Sequence, residues 1–111
     1  MQNRKVDKRQ YQRYQTYCAA EIETGDPYVH VGVTSNISRS GASLMTTAEL
    51  EEGAGVQIRI AFGDFEQAQW CPARVVRTEE ADDARRLWPK KVSFAFLSTL
   101  PEAIESQLRQ K

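Results

Sequence analysis

The sequence predicts an all-β domain: a small six-stranded antiparallel barrel with one C-terminal helix and a flexible basic arm at its N-terminus. Three observations carry that prediction. Short runs of alternating apolar residues recur through the middle of the chain. Gly-, Asp- and Pro-bearing segments separate them at close intervals, as in small closed β folds. Apolar residues recur every four positions only at the end, at Leu100, Ile104 and Leu108, which marks one amphipathic helix.

The elements follow in order. Residues 1–14 are polar, carry Arg4, Lys5, Lys8, Arg9 and Arg13 against Asp7 alone, and show no apolar period. They read as a mobile arm, and residues 15–111 as the barrel with its helix. Residues 16–22, with Tyr17, Ala19 and Ile22, have strand length. Glu23-Thr24-Gly25-Asp26-Pro27 is a turn by composition. Val29, Val31 and Val33 alternate with His30, Gly32 and Thr34, the period of a half-buried strand. Residues 40–46 form a further strand through Ala42, Leu44 and Thr46, and Val56, Ile58 and Ile60 mark the next after a Gly-bearing loop. Gly63-Asp64 is a hairpin signal in reversed order. Residues 70–78 and the alternating Val92, Phe94 and Phe96 complete six strands, with residues 79–86 read as a charged loop. Thr99-Leu100-Pro101-Glu102 fits a helix capping box, with Pro where its missing N–H costs little.

Composition narrows the function. At 111 residues, one domain with one core is expected. No apolar run approaches 18 residues and the first residues lack a secretory h-region, so cytoplasmic residence without membrane insertion is expected. Net charge is zero, yet residues 1–14 hold +4 and the remainder −4. A neutral body with a basic arm argues for local capture of an anion and against binding of a nucleic-acid polymer. Cys18 and Cys71 lack disulfide-framework or metal spacing and read as buried structural thiols. The single His30 offers neither a metal cluster nor a catalytic triad, and reads as an exposed strand residue. The acidic pairs fall in loop-like runs, and Gly53-Ala54-Gly55 is too short for a phosphate-loop fingerprint, so no enzymatic role, metal or cofactor is expected.

Two motifs remain. Arg9 and Arg13 lie four apart, and each guanidinium is a planar fork that matches a phosphate or the O6/N7 edge of guanine. Asn36-Ile37-Ser38-Arg39-Ser40-Gly41 follows the valine strand. Asn36 and Ser38 are two apart and on a strand would share one face, with Ile37 turned to the core. Gly41 lacks a Cβ, so a ligand or a neighbouring backbone can approach closely. Taken singly, these motifs fit a solvated tail and an ordinary turn.

Together they resemble the PilZ family of bacterial cyclic diguanylate receptors. That family is marked by Arg-x-x-x-Arg near the start of the domain and (Asp/Asn)-x-Ser-x-x-Gly after the first strands. The resemblance continues through residues 53–60, through Pro72-Ala73-Arg74-Val75-Val76-Arg77 and through residues 92–97, and so covers most of residues 9–108. It implies a PilZ-type barrel that binds cyclic diguanylate (c-di-GMP), orders its arm and signals to a protein partner. It further implies that Arg9 and Arg13 hold phosphates and guanine edges, that Asn36 and Ser38 bond a guanine, and that Gly41 keeps the turn. Arg39 and Arg74 lie within reach of that ligand by the same resemblance. Lys8 precedes the first arginine, where relatives with a basic residue tend to take the ligand as an intercalated dimer. The chain departs from the pattern in Asn36 for Asp, in Ser93 where Gly is frequent, and in the bulky Leu87-Trp88-Pro89. Ser93 is expected to affect packing alone, and Trp88 to pack over the barrel mouth. Two rival readings are a ligand-independent interaction adaptor of the same fold and a small RNA-binding barrel that stacks bases on Tyr11, Tyr14 and Tyr17.

Overall fold

The computed structural model describes residues 11–63, 68–81 and 88–109. Six strands run β1 (Ala19–Glu23), β2 (Val29–Ile37), β3 (Gly41–Thr46), β4 (Gly55–Ile60), β5 (Cys71–Glu80) and β6 (Lys90–Phe96), followed by helix α1 (Ile104–Arg109). They close into a barrel in the order β1-β2-β3-β6-β5-β4, with every neighbouring pair antiparallel. Closure leaves no unpaired sheet edge, so recognition falls to side chains on the outer faces.

The interior is filled by Ile22, Ile37, Leu44, Ile58, Val75 and Val92, each almost wholly removed from water. Leu108 of α1 joins this core, Leu100 is buried, and Ile104 packs against it, as their spacing of four requires. The helix begins later than the capping box implies. Leu100 is bound on both sides, its N–H donating to the Arg39 carbonyl at 2.8 Å and its own carbonyl accepting from Arg39 Nε at 2.8 Å. The chain stays fixed to the barrel through Leu100 and turns only afterwards, with Ile104 N–H donating to the Pro101 carbonyl.

The valine strand has the expected period in the opposite sense. Gly32 and Thr34 are buried, while Val29 and Val31 are 49% and 52% exposed. A Cβ on Gly32 would stand 2.7 Å from the Met45 carbonyl oxygen, so β2 and β3 approach too closely there for a side chain. The Thr34 hydroxyl is buried at no polar cost, donating to the Thr16 carbonyl at 2.6 Å and accepting from Cys18 N–H at 2.8 Å.

Three other boundaries move. The β1 strand starts at Ala19, because residues 16–18 are held by the Thr34 hydroxyl before regular pairing begins. Glu79 and Glu80 belong to β5, opposite Lys91 and Lys90, and Lys90 Nζ donates to Glu80 at 2.8 Å. The hairpin proposed at Gly63-Asp64 and most of the charged loop lie outside the described residues. Cys18 is buried as expected, whereas Cys71 is only half-buried. His30 is also half-buried and pairs with Asp26, Nε2 to Oδ2 3.2 Å. No helix among the described residues is long and apolar enough to cross a membrane.

Candidate functional site

The site is built where β2 ends. Ile37 is in the core with no exposure, so Asn36, its strand neighbour, points outward. Strand geometry stops at Ile37, and residues 38–41 form the reversal into β3, closed by Ser38 N–H donating to the Gly41 carbonyl at 2.8 Å. Alternation therefore does not extend to Ser38, which is 1% exposed instead of sharing the open face of Asn36. Its hydroxyl accepts from Ser40 N–H at 3.1 Å and lies 3.1 Å from Ser40 Oγ, so it fixes the turn from inside.

Gly41 resolves its two sequence alternatives in favour of backbone. A Cβ there would run into the Phe94 carbonyl oxygen of β6. Glycine is required by the close approach of β6, and the turn is locked again by Phe96 N–H donating to the Ser40 carbonyl at 2.9 Å.

The arginine motif meets this turn directly. Arg13 Nη2 donates to Asn36 Oδ1 at 2.6 Å. The contact is set by Tyr14, which pairs with Ile37 through two main-chain bonds of 2.8 and 2.9 Å and is 8% exposed. The arm expected over residues 1–14 thus ends in a docked segment: Tyr14 is part of the hydrophobic core. Its ring is also unable to stack a nucleobase, which removes it from the RNA-binding set, while Tyr17 is 72% exposed. Tyr11 lies under the Arg39 guanidinium, 4.8 Å from its carbon to the ring centroid. Arg39 therefore ties Tyr11, the turn and Leu100 into one unit. Lys8 and Arg9 lie outside the described residues.

Beyond Asn36 the register exposes residues whose role sequence patterns did not reveal. Asn36 faces Ser43 on β3, Ser43 faces Ser93 on β6, and Ser93 faces Arg77 on β5. The next row runs from Gly41 to Ala95 to Arg74. Both rows lie outward, because Leu44, Val75, Val92 and Phe94 in alternate positions fill the core. The outer side of β3 and β6 consequently carries small side chains, of which Ser43 is itself buried at 4% exposure, with its Oγ 3.3 Å from Ser93 Oγ. Ser93 belongs to this outer side and not to the barrel packing, a correction to the sequence reading. Only cross-strand register could have found it. Arg74 is exposed at the far side, where Nη1 donates to the Gly53 carbonyl at 2.9 Å. Trp88 is half-buried.

A groove of about 400 Å³ also opens elsewhere, between the ends of β4 and β5 and helix α1, lined by Ile58, Phe62, Cys71, Phe96, Leu100 and Ile104 among others. It contains none of the motif residues, and its described lining carries no charged group to meet a dianion. Burial there holds the Cys71 thiol above its ordinary pKa, in the less reactive neutral form. The outer side beside Asn36 is the better candidate because the donors converge there. No group of His, Cys, Asp and Glu fit to hold a metal occurs among the described residues.

Known proteins share this architecture. The PilZ domain of YcgR from Escherichia coli, solved with c-di-GMP, superposes with a TM-score of 0.68 at 20% identity, over 94% of this chain and 88% of that one. The Bacillus subtilis inhibitor of motility, MotI/DgrA, gives 0.71 at 17% identity over 99% of this chain and 54% of its own. YcgR of Escherichia coli in complex with c-di-GMP gives 0.64 at 23% identity, over 95% and 44%. At these identities the likeness speaks to fold alone. No curated protein matches the sequence. The sequence model described as PilZ domain matches residues 7–111, and on that match, with the closed barrel and both motifs in place, the chain belongs to the PilZ domain family.

Proposed function

We propose that this chain is a c-di-GMP receptor that binds the nucleotide across the outer face of β3 and β6 and signals to a protein partner through its N-terminal segment. The observation that carries the reading is the contact between Arg13 and Asn36, which unites the two motifs beside the small side chains of β3 and β6. Arg13 and Arg9 supply positive forks for phosphate and the guanine edge, Lys8 adds a third cation, and Asn36 supplies an amide that both donates and accepts. Ser38 and Gly41 hold the turn that aims Asn36, and Arg39 holds Tyr11 beside it. The small side chains of Ser93 and Ala95 on β6 leave room for a planar base where larger ones would lift it. Several solved relatives are complexes with c-di-GMP, which supports this choice of ligand.

A ligand shifts a conformational equilibrium only by its differential affinity for the two states. Here that difference comes from cations of a self-repelling arm, which a dianion neutralises. The segment is tied to the rest of the chain at Tyr14, whose hydroxyl accepts from Arg109 of α1 at 3.4 Å, so ordering it also alters the surface beside the helix. The adaptor reading draws on the outward Tyr28, Val29 and Val31, a surface suited to a protein contact without any nucleotide. One calorimetric titration separates the two. The receptor reading expects heat on adding c-di-GMP at tens of micromolar, and the adaptor reading expects none. Arg13→Ala should weaken binding about ten- to a hundredfold, the value of one or two charge-assisted hydrogen bonds.

A further inference from the structure

We infer that the groove at the mouth of the barrel, beside α1, is a second ligand site, built for a small, uncharged and mainly apolar molecule. Its base is the core itself, since Ile58 and Ile60 of β4 and Leu100 are buried and line it. Its walls are Phe62, Phe96 and Ile104, which pack against the core yet stay half-open. Isolated exposed apolar side chains are ordinary, but three converging on one cavity mark a place for a ligand. The volume of about 400 Å³ is that of a small-molecule pocket, and barrel mouths are a favoured position for one.

The lining sets the chemistry of the occupant. No charged side chain lines the groove among the described residues. Its polar side chains are Gln69 and Gln107, both exposed, and the half-buried Cys71, whose thiol burial keeps neutral. An ion entering here would lose its water and meet no counter-charge, a cost that apolar contact does not offset. A neutral apolar body gains by leaving water, and a polar end on it can meet the two amides. The groove and the nucleotide face therefore take opposite chemistries.

The two are joined through one residue. Leu100 lines the groove, and both its main-chain groups are bonded to Arg39. Arg39 lies in the turn after Asn36 and stacks on Tyr11 of the arginine segment. An occupant packed against Leu100 holds this connection in place, so by linkage each ligand strengthens the binding of the other. The coupling rests on the receptor reading above, whereas the site itself does not.

The test is fluorescence titration of the full chain with phenylnaphthylamine, a neutral apolar dye, and with its anionic analogue anilinonaphthalene sulfonate. The neutral dye should saturate at one per chain, and the anionic one should bind about tenfold more weakly. Cys71→Phe fills the groove and Phe62→Ser strips one wall, and thermal melting first establishes that each variant folds. Each folded variant should bind the neutral dye about tenfold more weakly, while Val31→Ser, on the outward valines, should bind it as the parent does. No saturable binding of the neutral dye, equal binding of both dyes, parent-like binding in a folded groove variant, or loss in Val31→Ser overturns the site. Saturating c-di-GMP should tighten binding of the neutral dye about fivefold. An unchanged dye affinity overturns the coupling and leaves the site standing. A parent chain that takes up no c-di-GMP overturns the receptor reading and the coupling with it, while the dye titration still decides the site.

Discussion

The two sides of the motif pair are held in opposite ways. In the turn of residues 38–41, the Ser38 hydroxyl, the Ser40 carbonyl and both main-chain groups of the Ser38–Gly41 closure are bonded within the barrel. The arginine side is attached through side chains: the buried Tyr14 with its isolated bridge to Ile37 and its hydroxyl bond from Arg109, the Arg13–Asn36 bond, and the stacking of Arg39 on Tyr11. A wall bonded within the barrel, facing a segment anchored at Tyr14, suits a receptor in which ligand binding is converted into movement. The wall sets specificity, and the segment supplies the part of the binding free energy that changes between states.

Substitutions can break this contrast from either side. The largest effect should come from Tyr14→Ala, which removes a buried ring and should cost about 3 kcal/mol in urea unfolding. Because Tyr14 also sets the height of Arg13, this variant should lose ligand affinity as well. A variant that lost stability yet bound c-di-GMP normally would show that the segment needs no anchor. Next in size, Gly41→Ala drives a methyl against the β6 backbone and should cost about 2 kcal/mol. Its neighbour's amide in the nuclear resonance spectrum should move together with those of Phe94 and Ala95. Smaller still, Ser38→Ala leaves Ser40 N–H without its side-chain acceptor and should cost about 1 kcal/mol. If Ser38 only supports the turn, ligand affinity should drop in proportion to the disorder of Asn36. If its hydroxyl also meets the ligand, affinity should drop while the turn stays intact.

Much of the fold was legible because the core obeys simple periods. Ala42, Leu44 and Thr46, then Val56, Ile58 and Ile60, then Val92 and Phe94 all point inward as alternation requires. Legibility ended where packing reversed a local rule. The valines of β2 lie outward because closeness to β3 leaves room only for Gly32, and because a satisfied threonine can occupy the core. Glu79 and Glu80 read as loop, yet cross-strand lysines make them strand. The two motifs were legible in the sequence, and the structure brings Arg13 of one against Asn36 of the other. The pairing of Ser43 with Ser93 was not legible, since they come from two strands and only the register brings them together. Nor did spacing reveal that Ser38 faces inward, because a strand period means nothing one residue past the strand.

The central claim is that c-di-GMP lies on the outer face of β3 and β6, between the arginine segment and the turn of residues 36–41. It is tested most directly by following backbone amides of the full chain by nuclear magnetic resonance as c-di-GMP is added. The account predicts saturable shifts at Tyr11, Arg13, Asn36 and Arg39, with further shifts at Ser43 and Ser93. Unchanged spectra, or shifts confined to Val29, Val31 and the far side of the barrel, would contradict it.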